Sequence, residues 1–196
     1  MIALEALPRE SQTADICLQN IQLGCPLHYV RKDLRTEELC LAAVKRNVLN
    51  INYVPDDVLT EEMVKIAAVY ITTCRRCSTL LPSKFKTEEF YIYAIDKIEG
   101  LVNMRNLLLN IPRKNRAYSI CLAAVTKYGM TLIAVPKIHK TDELCLAAVR
   151  SNGLALQFVE NPTVEMCKYA VRNNRDAIKF VPEEIMVKMG VKKKWA

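Results

Sequence analysis

One pair of side chains in this chain has a spacing that could do chemistry, the cysteines of Cys74-Arg-Arg-Cys77. Redox dithiols share this spacing and place the pair at the amino end of a helix beside a strand, where the thiol pKa falls. The sequence predicts instead that the pair lies late in a helical segment of an all-helical chain. A zinc site would need a second pair of cysteines or histidines at ligand spacing, and none follows. The pattern therefore favours packing over a functional role for Cys74 and Cys77.

Five of the eight cysteines occupy equivalent positions in a repeated sequence, each one residue after an apolar residue. They are Cys17, Cys40, Cys121, Cys145 and Cys167. Thiols spaced a whole repeat apart do not form a disulfide framework or a metal set, and unpaired cysteine is among the residue types most often buried. The sequence predicts that these five are small core side chains.

The chain offers little else for catalysis. It has no Gly-rich phosphate loop, no His-Glu-x-x-His and no Gly-x-Ser-x-Gly. Its two histidines, His28 and His139, lie several repeats apart, and the variable position of His28 predicts exposure to solvent. We therefore expect a non-enzyme without cofactor or metal, and we assign no catalytic residue. The alternative that stays open is an enzyme, or an enzyme inhibitor, with a site assembled across repeats, because catalytic groups meet in space and not in sequence.

The net charge of +7 invites a nucleic-acid interpretation. Much of the charge has a local explanation, because basic residues end the first helix in several repeats and acidic pairs begin it in four, which suits the helix dipole. The basic surplus, together with the lysines at 192–194, lies in or beside the centre and at the carboxyl end. The central candidates for partner binding are Arg75, Arg76, Arg105, Arg113, Lys114 and Arg116. The aromatic residues that could stack on bases recur at one repeat position, which predicts a core role; they are Tyr29, Tyr53, Phe158 and Phe180.

These residues are positioned by a repeated unit, of which residues 141–159 are the clearest copy. Thr141 precedes an apolar periodic run, where its hydroxyl can accept from the free N–H groups that open a helix. The apolar face of that helix consists of Leu144, Cys145, Ala148 and Val149. The following Asn152-Gly153 predicts a stop in which the glycine takes left-handed backbone. A shorter second helix follows, and in other copies a Val-Pro pair ends it.

Copies of this unit start near residues 13, 36, 60, 87, 117, 141 and 163, so about seven repeats of 22–30 residues fill residues 13–185. A period in this range is typical of stacked units that bury their apolar faces only against neighbours. The eighth position is alanine in six copies, which predicts a close approach between helices. Residues 1–12 are predicted as a lead-in to the first repeat, and residues 186–196 as a basic tail.

Repeats three and four, residues 60–116, depart from the pattern. Both keep Thr-Glu-Glu but lose the Asn-Gly turn and run longer, and the apolar stretch after Gly100 predicts a longer second helix. Insertions in a repeat array map to one face, often the face that binds. Two interpretations stay open: the divergent centre binds a partner, or it only bends the stack.

The pattern Thr-x-Glu-Leu-Cys-x-x-Ala-Val, then Asn-Gly, then Tyr/Phe-Val-Pro resembles a family of short helical repeats of unknown function. The resemblance is strong over residues 36–59 and 117–185, fair over 13–34 and weak over 60–116. Such repeats are common in effectors of intracellular bacteria and in giant-virus proteins. The resemblance implies a helical repeat fold and action in a host cell, and it implies no catalytic residue.

We therefore expect an all-α protein, a right-angled or superhelical α-solenoid of helix-pair repeats, whose surface binds another protein. Its uncharged apolar stretches are far shorter than the ~20 residues of a membrane span, and its amino terminus lacks the pattern of a secretory signal. We expect a soluble cytoplasmic protein, delivered into a host cytosol if the resemblance holds. The alternative partner is nucleic acid or anionic lipid headgroups, held by the central and C-terminal basic residues.

Overall fold

The computed structural model describes residues 4–112 and 115–190. It divides into two compact units, here called the N-terminal unit (residues up to Lys97) and the C-terminal unit (residues from Ile98). Within the described ranges all regular structure is helical and there is no strand, which confirms the all-α prediction. The boundary falls inside the fourth predicted repeat, and the single repeat domain over residues 13–185 stays a prediction.

The N-terminal unit contains six α-helices in its described part, joined by short 3₁₀ helices. The α-helices are α1 (Ala14–Gln22), α2 (Glu37–Arg46), α3 (Glu61–Ile66), α4 (Ala68–Thr73), α5 (Arg75–Leu80) and α6 (Glu88–Lys97). The 3₁₀ helices are Leu4–Ala6, Arg9–Ser11, Leu27–Tyr29, Lys32–Leu34, Val48–Tyr53 and Ser83–Phe85. Repeat three is therefore broken into three short helices, which is the longer and less regular course that its sequence predicts.

The C-terminal unit contains the most regular repeats. Its α-helices are α7 (Leu101–Asn110), α8 (Tyr118–Lys127), α9 (Asp142–Ser151), α10 (Val164–Asn173) and α11 (Glu183–Lys188). Its 3₁₀ helices include Gly129–Ala134, Lys137–His139, Gly153–Phe158 and Arg175–Phe180. The short second helix of a regular repeat is thus a six-residue 3₁₀ helix, while the second helix of repeat four, α7, has ten residues as predicted. No helix in the described part of the chain has the length and apolar character needed to cross a bilayer.

Threonine hydroxyls open the first helix of six repeats. Each hydroxyl accepts a hydrogen bond from the backbone N–H three residues further on, at distances between 3.2 and 3.5 Å. The residues are Thr13, Thr36, Thr60, Thr87, Thr141 and Thr163. A cap of this kind contributes about 1 kcal/mol. The predicted helix starts at these threonines are confirmed.

The repeated cysteine and alanine positions form the buried face of these helices. The five equivalent cysteines are at most 4% exposed, and the six equivalent alanines are at most 1% exposed. Burial raises the pKa of the Cys40 and Cys121 thiols to about 11. The prediction that both positions belong to the core is confirmed.

Consecutive repeats pack against each other within each unit. In the N-terminal unit α2 contacts both α1 and α3, and in the C-terminal unit α9 contacts both α8 and α10. The 3₁₀ helices follow the same order, since Gly153–Phe158 contacts both Gly129–Ala134 and Arg175–Phe180. A stack of helical repeats requires this packing of neighbours. The superhelical path of the whole chain stays a prediction.

Gly153 and Gly129 serve this packing, and the expected left-handed turn at Gly153 is wrong. Neither glycine has a positive φ; Gly153 begins a 3₁₀ helix, and Asn152 before it is extended, with φ −151° and ψ 115°. A Cβ on Gly153 would lie 2.4 Å from the carbonyl oxygen of Ala170 in α10. A Cβ on Gly129 would lie 2.2 Å from the equivalent oxygen of Ala148 in α9. The glycine is needed because the backbone of the next repeat passes so close.

Side chains from one repeat also satisfy the backbone of its neighbour. In the N-terminal unit the buried Asn50 accepts from the Leu27 N–H at 2.9 Å and donates to the Ala43 carbonyl at 2.8 Å. In the C-terminal unit the Gly153 N–H donates to Oδ1 of Asn173 at 3.1 Å. The bonds from the Leu27 and Gly153 N–H groups join the start of a 3₁₀ helix to the following repeat, where an unpaired backbone group would be costly.

Candidate functional site

A cleft lies in the divergent centre of the sequence, between α3 and α6 of the N-terminal unit. Its volume is about 410 Å³, within the range of about 300–1,000 Å³ that ligand pockets usually have. The two helices begin at the threonine caps of repeats three and four, and α6 packs against both α3 and α4. The 3₁₀ helix Ser83–Phe85 supplies further lining just before α6. The cleft is therefore built by the two repeats that lost the regular pattern.

Apolar side chains make up the inner part of the cleft. Val64 on α3 and Phe90 on α6 are buried, with 1% and 7% exposure, and both line it. Phe85 and Tyr93 are half-buried, so their rings remain partly open to the cleft. Phe90 and Tyr93 stand three residues apart on α6, a spacing that puts them on the same side of the helix. The cleft thus offers aromatic surface to an apolar group.

Charged side chains of both signs surround this apolar part. Glu61 and Lys65 form an ion pair of 2.6 Å within α3, and the hydrogen bond and charge of Glu61 raise the pKa of Lys65. Lys84 lies 4.9 Å from the centre of the Phe85 ring, and Glu89 completes the charged lining. Two acidic and two basic residues give the lining no net formal charge. Such a lining gives no strong attraction for a polyanion.

The predicted partner-binding arginines do not line this cleft. Arg75 and Arg76 are exposed on α5 of the N-terminal unit, and Arg105 is exposed on α7 of the C-terminal unit. Arg113 and Lys114 lie outside the described residues, as do the lysines at 192–194. A binding role for these residues stays a prediction.

Arg116 is engaged within the C-terminal unit. Its guanidinium donates to the carbonyl oxygens of Ile111 at 2.8 Å and Leu109 at 3.2 Å, at the carboxyl end of α7. The residues at the equivalent position of other repeats behave alike: Arg35 donates to the carbonyl of Val30, and Lys140 donates to that of Phe158. The basic residue just before a helix start therefore donates hydrogen bonds to carbonyl oxygens at the ends of other helices. A basic residue at this position recurs in the sequence, but its spacing alone did not predict these hydrogen bonds.

The four recurring aromatic residues are not core residues, so that prediction is wrong. Tyr53 is 42% exposed, and Tyr29, Phe158 and Phe180 are only half-buried. Each is the last residue of a 3₁₀ helix, and the buried positions belong to neighbouring residues, such as Leu156 before Phe158 and Val181 after Phe180. His28 is exposed as predicted, and its ring lies 5.0 Å from that of Tyr53.

The structure also places Cys74-Arg-Arg-Cys77 differently from the prediction. The pair does not lie late in one helix, because α4 ends at Thr73 and α5 begins at Arg75. Cys74 stands between the two helices with extended backbone, φ −90° and ψ 112°. Neither proline nor glycine marks this break, so local sequence signals could not reveal it.

The cleft residues were missed for a similar reason. Whether α3 and α6 leave a gap depends on their tertiary packing, which neither repeat's own pattern encodes. One signal was present: residues 85–93 contain four aromatic side chains in a chain that is 7% aromatic. That local density coincides with the loss of the regular repeat.

The arrangement is suited to binding. Among the residues that the structure describes, no three His, Cys, Asp or Glu side chains are grouped to hold a metal ion. Comparisons with protein-family models, with curated proteins and with solved structures find no match. The resemblance to repeats of bacterial effectors and giant viruses stays a prediction, and function must be argued from the geometry of the site.

Proposed function

We propose that this protein is a non-catalytic binding protein, and that the cleft between α3 and α6 docks a segment of a partner protein. The observation that carries this proposal is the cleft of about 410 Å³ with Phe85, Phe90 and Tyr93 in its lining. Aromatic side chains in a partly enclosed site are the usual anchors of protein interfaces. On this view the regular repeats form the scaffold of a solenoid, and the divergent centre supplies the binding surface.

The bound segment is expected to insert one apolar side chain between the Phe85 and Tyr93 rings. The residues next to that side chain in the bound segment would carry charges of both signs. Basic residues of the segment would pair with Glu61 and Glu89, and acidic residues with Lys65 and Lys84. A lining without net formal charge favours such a peptide over nucleic acid or anionic lipid. That the partner is a host protein follows from the sequence resemblance alone.

The test is a selection of displayed peptides against the purified full chain, followed by measurement of the dissociation constant of the selected peptides. Tyr93→Ala removes half-buried aromatic surface from the cleft, and we expect it to weaken binding about tenfold or more, as truncation of an interface anchor does. Tyr53→Ala is the matched control, since Tyr53 is an exposed tyrosine of the same unit outside the cleft. It should leave the affinity unchanged.

Salt separates this proposal from the charge-based alternative. Binding through the cleft should change little between low and physiological salt, whereas binding to a polyanion would weaken steeply. Selected peptides that bind both tyrosine variants equally well, or a ligand held only at low salt, would refute a protein-binding cleft.

A further inference from the structure

The thiols of Cys74 and Cys77 lie close enough to react with each other. Their Sγ atoms are 3.0 Å apart in the N-terminal unit. A disulfide bond is about 2.05 Å long, so the two atoms need to approach by only about 1 Å. Cys74 is half-buried in the break between α4 and α5, and Cys77 is 7% exposed in the first turn of α5. Cys74 is thus the more accessible residue of the two.

A polar cluster surrounds the inner thiol. Besides Cys74, the Cys77 thiol has the Oδ1 atom of Asn52 as an acceptor, at 3.2 Å. The amide of Asn52 is held in this orientation because its Nδ2 donates to the Leu49 carbonyl at 3.1 Å and to the Tyr70 hydroxyl oxygen at 2.9 Å. The cluster therefore keeps the Cys77 thiol directed towards polar partners and beside Cys74.

The two thiols differ in acidity. The hydrogen bond from the Cys77 thiol, and then that from the Cys77 backbone N–H, lower the pKa of Cys74. Burial, and then the hydrogen bond to Cys74, raise the pKa of Cys77. Cys74 is therefore the first of the pair to become a thiolate, which is the nucleophilic form of cysteine.

Cys77 also has room to move. Together with Asn52 it borders a cavity of about 230 Å³ in the N-terminal unit, whose lining includes Ile71 and Leu80. The Cys77 side chain is therefore not enclosed by close-packed neighbours on every side. The distance between the two sulfur atoms, their hydrogen bonds and the open volume beside Cys77 are all consistent with a bond between them.

We propose that Cys74 and Cys77 form a reversible disulfide by exchange with a low-molecular-weight disulfide. The Cys74 thiolate attacks one sulfur of that disulfide, forms a mixed disulfide, and expels a thiolate that takes a proton from solvent. Cys77 then attacks the Cys74 sulfur and breaks the mixed disulfide, and the small thiolate that leaves takes up the proton that Cys77 gives up. The protein pair loses two electrons, and the small disulfide is reduced to two thiols. This activity is independent of the proposed binding cleft.

The experiment equilibrates the purified full chain with mixtures of glutathione and glutathione disulfide, quenches free thiols by alkylation, and maps the cysteines by mass spectrometry. In the wild-type chain we expect an oxidised species in which Cys74 and Cys77 are joined and both escape alkylation. Two thiols that remain fully alkylated in the most oxidising mixture would overturn the proposal. This measurement does not depend on the folding of any variant.

Variants assign the order of attack. Cys77→Ser should trap glutathione on Cys74 as a mixed disulfide, and Cys74→Ser should lose that adduct. Cys25→Ser is the control, because Cys25 is a half-buried cysteine of the same unit and its replacement should leave the Cys74–Cys77 disulfide unchanged. Stronger trapping of glutathione on Cys77 in Cys74→Ser than on Cys74 in Cys77→Ser, or trapping mainly on Cys25, would contradict the order of steps.

Discussion

Replacement of Gly153 by alanine tests the close packing of consecutive repeats. The new Cβ would lie 2.4 Å from the Ala170 carbonyl oxygen, whereas ordinary contact begins at 3.4 Å. The 3₁₀ helix Gly153–Phe158 and α10 would have to separate by about 1 Å, and overpacking of this kind costs about 1–3 kcal/mol. The separation would also stretch the 3.1 Å bond from the Gly153 N–H to Asn173, worth about 1 kcal/mol.

The backbone of Gly153 itself favours alanine slightly. Its φ is not positive, so alanine would gain about 0.4–1 kcal/mol by restricting the unfolded chain. The net expectation is a loss of about 1–3.5 kcal/mol in the free energy of unfolding. The assay is chemical denaturation followed by circular dichroism, with amide hydrogen exchange in α9 and α10 to locate the loss.

A neighbouring substitution provides the control for Gly153→Ala. Gln157→Ala changes an exposed residue of the same 3₁₀ helix and should alter stability by less than about 0.5 kcal/mol. If Gly153→Ala proves equally harmless, or is stabilising, the close approach between Gly153 and α10 is wrong and with it the reason for the glycine.

Three further substitutions test the core. Tyr91→Phe should raise the free energy of unfolding by about 1 kcal/mol in denaturation experiments, because the Tyr91 hydroxyl is buried with no hydrogen-bond partner among the described residues; a loss of stability would reveal a partner. Asn50→Ala should cost about 1–3 kcal/mol by the same assay, since it leaves the buried Leu27 N–H unpaired, while the Ala43 carbonyl keeps its hydrogen bond from the Asn47 N–H; a cost below about 0.5 kcal/mol would contradict this. Burial raises the pKa of Cys121 from 9.0 to about 11. The contribution of the buried thiol to the free energy of unfolding is therefore complete below pH about 9 and is lost as the pH rises to about 11. Cys121→Ala should therefore be less destabilising relative to wild type at pH 11 than at pH 8, by about 2 kcal/mol, and an unchanged difference would show that the thiol titrates normally.

Local signals made the all-helical fold predictable from the sequence. Apolar residues at helical spacing identify the face that contains Cys145 and Ala148, and a threonine before six of the seven runs identifies where the helix begins. Both signals depend only on residues within one or two helical turns, so they do not depend on the neighbouring repeats. The burial of equivalent cysteines and alanines followed from the same reasoning.

Features that depend on a neighbouring repeat were not predictable in this way. Asn152-Gly153 has the composition of a helix stop, yet the glycine is required by α10, which the local pattern does not show. Tyr53 occupies an apparent core position, yet it ends a 3₁₀ helix and is exposed. The break at Cys74 and the cleft beside Tyr93 arise from the packing of short helices in the divergent centre.

The most direct test of the central claim is a map of where a selected peptide binds. Isotope-labelled protein is titrated with the peptide, and the perturbed side-chain and backbone NMR signals are assigned. Docking in the cleft predicts the largest changes at Val64, Phe85, Phe90 and Tyr93. Changes confined to the surface around Arg75 and Arg76, with the cleft signals unmoved, would contradict it.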